Sequence, residues 1–120
     1  MKKCLDTYAL IEINNGNLKF AGLLNEDVII TDLTFAEFYG NIFRKYDKKT
    51  ADYWHRKLEF FCRPVSRDIL LKSVIFRIEH AIENLSLFAC VGYVYSLENN
   101  YKFVTGDNAF KNKEGVVFIK

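Results

Sequence analysis

The sequence has a single proline, six glycines among 120 residues and three widely separated cysteines. So little Gly and Pro excludes a collagen-like or a linker-dominated chain. Cys4, Cys62 and Cys90 are odd in number and form no C-x-x-C pair, which argues against a zinc ribbon and a disulfide scaffold. They are expected as small buried hydrophobes in a reducing compartment. No Gly-rich phosphate loop is present, which counts against a flavodoxin-like domain for a small phosphorylated ligand. The uncharged stretch 84–97 is shorter than the roughly 20 apolar residues of a membrane span. Met1-Lys2-Lys3 is basic, but Asp6 interrupts before a hydrophobic signal region builds up, so a soluble, cytoplasmic chain is expected.

What the chain does have is apolar content. Half the residues are apolar and 27% are charged, with a formal net charge of +2, so disorder is excluded as the main state. The length suits one domain over residues 1–120, in which folding buries roughly two-thirds of the extended surface. Charge is uneven along the chain. Residues 1–40 hold three basic and six acidic groups, 41–77 hold ten and four, and 78–120 hold four and five. A basic middle between acidic ends suits either a polyanion beside a cation site or a solvated helical surface.

Apolar spacing predicts strands at Lys2–Leu5, Val28–Ile30, Arg63–Val65, Tyr101–Val104 and Val116–Ile119. Between them it predicts helices at Thr7–Ile13, Thr34–Tyr46, Lys48–Phe61, Asp68–Ala81 and Ser86–Leu97, and one or two helical turns in Leu18–Leu24. Strands alternating with helices point to an α/β sandwich around a mostly parallel sheet. The nearly all-apolar Ser86–Leu97 segment is expected to pack on that sheet. Leu18, Phe20, Leu23 and Leu24 are dense for a short segment and are expected to offer a groove to a partner segment or a second protomer.

In a parallel sheet, ligands collect beyond the carboxyl ends of the strands, where strand order reverses. Asp6 follows the first predicted strand, Asp107 follows the fourth, and Glu37 lies near the start of the helix after the second. Each has an ordinary structural reading. Asp6 caps the helix at Thr7, Asp107 makes an Asx-turn, and Thr34-x-x-Glu37 fits a capping box. As a set they are harder to dismiss, because crowded carboxylates repel and a hard divalent cation relieves that repulsion. His55 and His80 pair with no Cys or Ser, so no His-assisted nucleophile is expected. Arg44, Lys45, Lys48 and Lys49 flank a helix–helix loop, with solvation or RNA-phosphate contact as the two readings. Trp54 is read as core, and Tyr53 as either core or interface.

Three ordered segments carry a family likeness: Cys4-Leu5-Asp6-Thr7, Thr34-Phe35-Ala36-Glu37-Phe38-Tyr39-Gly40 and Phe103-Val104-Thr105-Gly106-Asp107-Asn108-Ala109-Phe110. Together they resemble the signatures of PIN-domain ribonucleases, the family that includes the VapC toxins of prokaryotic toxin–antitoxin pairs. The likeness runs over essentially the whole chain. It implies a three-layer α/β/α fold with a five-stranded parallel sheet, and Mg²⁺- or Mn²⁺-dependent endoribonuclease cleavage of RNA. It also implies a homodimer and an antitoxin partner. It assigns Asp6, Glu37 and Asp107 to the metal and Thr105 to the hydroxyl residue lining the site. The family's third acid stands sixteen residues before that threonine, and here the position is Ala89. Glu83 precedes the helix and Glu98 lies more than two turns beyond, so neither replaces it. Two readings follow, an endoribonuclease disabled or weakened at Ala89 and a catalytically degenerate RNA- or protein-binding module.

Overall fold

The computed structural model describes residues 1–120. Five strands, β1 (Lys3–Leu5), β2 (Val28–Thr31), β3 (Cys62–Arg63), β4 (Lys102–Thr105) and β5 (Val116–Phe118), form one parallel sheet in the order β3-β2-β1-β4-β5. The helices are α1 (Thr7–Asn14), α2 (Asp32–Lys45), α3 (Lys48–Leu58), α4 (Arg67–Glu79) and α5 (Leu87–Glu98). The chain steps outward from β1 to β3, then crosses back to β4 on the far side of β1. Strand order therefore reverses between β1 and β4, where this architecture opens a crevice.

Side-chain alternation along the strands builds two cores. Leu5, Ile30 and Val104 face α1, α2 and α3, packing with Ala9, Leu10, Phe38, Ile42, Ala51 and Leu58. On the other face Phe103 packs with Cys90, Tyr93 and Phe110, and Phe76 of α4 closes this second layer. Cys4 also faces α5, its thiol directed at the Gly92 carbonyl. A Cβ at Gly92 would stand 2.8 Å from the Phe103 ring, so glycine is what lets α5 lie close against β4. The result is the three-layer α/β/α arrangement with the expected five-stranded sheet.

Several boundaries differ from the sequence expectation. Helix α2 begins two residues early, because the Thr31 hydroxyl accepts from the Thr34 N–H and makes Thr31 the N-cap. The Thr34–Glu37 capping box therefore does not form. The Lys48–Phe61 helix ends at Leu58 and tightens into a 3₁₀ turn over Glu59–Phe61. Strand β3 comes one residue earlier than expected, since Pro64 has no N–H to continue the ladder. Leu18–Leu24 contributes only a 3₁₀ turn at Leu23–Asn25. Phe20 and Leu23 are buried there and Leu24 is half-buried, which leaves only Leu18 exposed. The expected groove is absent because this segment plugs the bottom of the first core. Trp54 is half-buried rather than core, resting edge-on against Phe38 with its indole N–H donated to Asn14 at 3.1 Å. Tyr53 is exposed. Cys4 and Cys90 are buried but Cys62 is only half so. No helix is long and apolar enough to cross a membrane.

Candidate active site

Each acid singled out in the sequence arrives at the crevice by its own route. Asp6 leaves β1 with its N–H still in the ladder, bonded to the Val104 carbonyl at 3.0 Å. Its Oδ1 then caps α1, accepting the Thr7 N–H at 2.8 Å. Across the β1–β4 junction, the Thr105 hydroxyl donates to Asp6 Oδ2 at 2.7 Å. The same Thr105 oxygen accepts the Asp107 N–H at 3.0 Å, which turns the chain out of β4. Asp107 caps the following 3₁₀ turn through the Ala109 N–H at 3.0 Å. Glu37, freed from capping duty, sits in the second turn of α2 and accepts a short hydrogen bond from the Thr7 hydroxyl.

These routes end in one open cleft of about 360 Å³. It is lined by Asp6, Thr7, Tyr8, Glu37, Ser86, Ala89, Gly106, Asp107, Asn108 and Lys120. All three predicted acids and the Ala89 position thus share one cleft. Thr105 does not line it. This residue is fully buried behind the wall, where it orients Asp6 and Asp107 instead of facing a ligand. Ala89 is the third residue of α5, its N–H capped by Ser86 Oγ at 3.1 Å.

Gly106 explains the glycine between Thr105 and Asp107. A Cβ there would lie 2.2 Å from the Tyr8 ring and 2.5 Å from the Ile119 carbonyl oxygen. No other residue fits while β5 stays in place.

The electrostatics centre on Asp6, which is almost fully buried. Burial pushes its carboxyl from an ordinary 3.8 up to about 6, and the Glu37 and Asp107 charges push in the same direction. The hydrogen bonds from Thr105 and the Thr7 N–H act against this. Six ion pairs stud the surface, and none of them includes Asp6, Glu37 or Asp107. The cleft thus concentrates negative charge that no protein cation pairs with directly. The oxygen donors open to a cation are those of Asp6, Glu37 and Asp107, although no three acidic, His or Cys side chains close into a compact metal-holding cluster.

The other sequence candidates lie elsewhere. His55 stands against Phe35 and Tyr39, and His80 stacks on Phe76 at 4.0 Å. Arg44, Lys45, Lys48 and Lys49 are exposed, and none lines the cleft. Sequence reasoning gave no role to Thr7 or Ser86. Ser86 had a readable signal, a serine immediately before an apolar helical run. Thr7 had none, because its partner Glu37 is 30 residues away.

The sequence matches no family model and no curated protein. Solved structures do match over nearly the full length. A toxin–antitoxin complex from Klebsiella pneumoniae aligns with a TM-score of 0.77 at 21% identity, covering 96% of this chain and 95% of that one. VapC20 of Mycobacterium tuberculosis, a sarcin–ricin loop cleaving toxin, aligns with a TM-score of 0.80 at 13% identity, covering 98% of each chain. VapBC2 from Rickettsia felis, solved bound to a DNA fragment from its promoter, aligns with a TM-score of 0.72 at 16% identity, covering 99% and 98%. The chain's fold is therefore that of the VapC toxins, the PIN-like α/β/α sandwich.

Proposed function

We propose that the chain is a VapC-type endoribonuclease whose cleavage of RNA phosphodiesters depends on Mg²⁺ or Mn²⁺ and is held low by Ala89. The observation that carries this reading is the cleft at the strand-order reversal, lined by Asp6, Glu37 and Asp107 without a paired cation. The donor set suits the metal. All three are hard oxygen ligands, and Mg²⁺ keeps several waters, so carboxylates spread along a cleft serve it without forming a tight cage. When bound, the ion would lower the pKa of a water nucleophile and neutralise charge on the phosphodiester.

The chain's own residues supply the rest. Thr105 holds Asp6 in one orientation, and the Thr7 N–H fixes its second oxygen. Thr7 aims Glu37 across the cleft, where its second carboxylate oxygen is free to orient a water. Asp107 presents its carboxylate from a capped turn. The amino ends of α1 and α5 both open on this cleft, and their positive dipole ends favour a phosphate there. Ala89 contributes a wall but no ligand. The partners of this reading are an RNA substrate and an antitoxin protein, in line with the complexes formed by the structural neighbours.

A second reading, a catalytically degenerate binding module, is favoured by one feature, the missing carboxylate at Ala89. Ala89→Asp separates the two. On the nuclease reading it tightens Mn²⁺ binding by about 10–100-fold, the scale of losing or gaining support around a metal. It also brings up cleavage of single-stranded RNA, and adding Asp6→Asn removes that cleavage again. If the folded Ala89→Asp variant neither binds Mn²⁺ more tightly nor cleaves a broad RNA panel, the binding module is the better description. Efficient cleavage by the unaltered chain would show that the ligand assignment is wrong.

A further inference from the structure

Around Gly106 the wall of the cleft changes character. A Cβ on this glycine would meet the Tyr8 ring at 2.2 Å and the Ile119 carbonyl oxygen at 2.5 Å, so α1, the end of β4 and the chain just past β5 converge on one point. Tyr8 and Lys120 flank that point, and both line the cleft.

Tyr8 is the second residue of α1, two positions after Asp6. One side of its ring lies against Phe20, with centroids 6.1 Å apart, and belongs to the first core. Core packing accounts for that side alone. The residue is only half-buried, and the rest of it faces the cleft. No protein group hydrogen-bonds its hydroxyl, and no buried polar atom of the chain lacks a partner, so the hydroxyl meets solvent.

Lys120 is held through the backbone. The Lys19 ammonium donates to its carbonyl at 2.7 Å, and the Ile119 N–H before it donates to the Thr105 carbonyl at 3.0 Å. Its own ammonium enters none of the six ion pairs, although Asp6, Glu37 and Asp107 line the same cleft. No other lysine or arginine lines it.

We propose that this corner is a nucleotide subsite, in which Tyr8 stacks on the base next to the scissile phosphodiester and the Lys120 ammonium contacts that nucleotide's phosphate. The proposal rests on the nuclease reading and adds to it the side chains that hold the strand. Single strands are recognised by stacking their bases on aromatic side chains and by placing cations along their backbone. At about 360 Å³ the cleft has the size of a small-ligand site, which admits a nucleotide of a single strand and not a duplex. The three acids repel every phosphate that a bound cation does not screen, so the strand needs a ring and a positive charge beside them. Tyr8 is in place before the strand arrives, with Phe20 at its side and the bare Gly106 backbone at its tip, which limits the ordering cost of binding.

The test is a titration of the full chain with a single-stranded ribotrinucleotide in EDTA, where neither metal nor cleavage enters. NMR should show NOEs between the Tyr8 ring and one base, whose protons move upfield. Tyr8→Leu keeps an apolar side chain but loses the ring, and should weaken binding about 10-fold with an unchanged circular dichroism spectrum. Tyr8→Phe should retain the parent's affinity. Lys120→Gln should keep the NOEs but lower the slope of log affinity against log salt by about 0.7, the share of one phosphate contact on a single strand. Lys49→Gln, at an exposed cation outside the cleft, should leave that slope unchanged.

Absence of the NOEs in the unaltered chain, or no binding at about 100 µM, overturns the proposal whether or not Tyr8→Leu folds. So does an affinity that Tyr8→Leu leaves untouched, or an equal loss in Tyr8→Phe and Tyr8→Leu. A salt slope that falls in Lys49→Gln and not in Lys120→Gln overturns it in favour of a strand lying on α3. The nuclease reading is judged separately, by Mn²⁺ binding and cleavage in Ala89→Asp, and none of these outcomes decides it.

Discussion

The clearest physical consequence of the cleft is that it destabilises its own protein. Asp6 has a carboxyl pKa of about 6 when folded against 3.8 ordinarily. The folded state therefore binds the Asp6 proton more tightly than the unfolded state does. Stability from this group is fully present below about pH 3.8 and is lost as pH rises through about 6. The difference between those two values corresponds to about 3 kcal/mol. Asp6→Asn removes the titration but keeps the shape. The amide disturbs the hydrogen bond from Thr105 at a pH-independent cost of about 1 kcal/mol. The variant should thus be more stable than the parent by about 2 kcal/mol at pH 7.5, which at this size raises Tm by about 8 °C.

The decisive measurement is the difference in unfolding free energy, variant minus parent, from urea titrations in EDTA between pH 4 and 7.5. Subtraction removes the other carboxylates. The difference should climb by about 2.4 kcal/mol across that window and then level off. Excess Mn²⁺ should narrow it at pH 7.5, because only the parent keeps the Asp6 carboxylate; a cation at 100 times its dissociation constant stabilises by about 2.7 kcal/mol. A flat difference across the pH range, or an Asp6→Asn protein less stable than its parent at pH 7.5, would refute the claim that Asp6 is buried at electrostatic cost.

Other outcomes follow from the same geometry. Thr105→Val keeps the shape but leaves Asp6 Oδ2 and the Asp107 N–H without their partner, so urea unfolding should show a loss of about 2–4 kcal/mol. Carboxyl NMR should show the Asp6 pKa rising further, and Thr105→Ser should restore both. Gly106→Ala forces a methyl onto the Tyr8 ring and the Ile119 carbonyl and should cost about 3 kcal/mol or more, the upper end of overpacking. Adding Tyr8→Ala should recover only part of that, because the second obstacle is backbone.

Much of this architecture was legible in local pattern. Val28-Ile29-Ile30 reads as a strand covered on both faces, and Ser86–Leu97 as a helix against the sheet, because burial leaves a continuous apolar record. Asp6 and Asp107 could be placed at strand ends because a cap and a turn have short-range signatures, and both structural readings turned out compatible with a place in the cleft. Glu37 is picked out by its place near the start of the helix after the second strand, and it is its ordinary structural reading that fails. Its neighbourhood suggested capping, whereas the cap came from Thr31 and its real partner, Thr7, lies on another helix. The family likeness assigns Thr105 to the lining of the site, whereas the residue stands buried behind the wall and acts through Asp6 and Asp107. The apolar density at Leu18–Leu24 and that on α4 look alike in sequence. Only the packing tells that the first fills a core and the second does not.

Position 89 ties the stability and the chemistry of the cleft together. Ala89 stands at the third residue of α5, where free N–H groups favour an acid by about 0.3–1 kcal/mol. It also faces Asp6, Glu37 and Asp107, whose charges already crowd one another. An Asp there gains from the helix and loses to its neighbours, so in EDTA Ala89→Asp should leave the protein less stable at pH 7.5 than at pH 5, relative to the parent. A divalent cation reverses that balance by converting the added repulsion into an added ligand. The Tm gain on adding Mn²⁺ should therefore be larger for Ala89→Asp than for the unaltered chain, whether or not RNA is cleaved. Equal gains in the two proteins would mean that the side chain at 89 does not reach the cation, and the low activity proposed for this chain would need another cause.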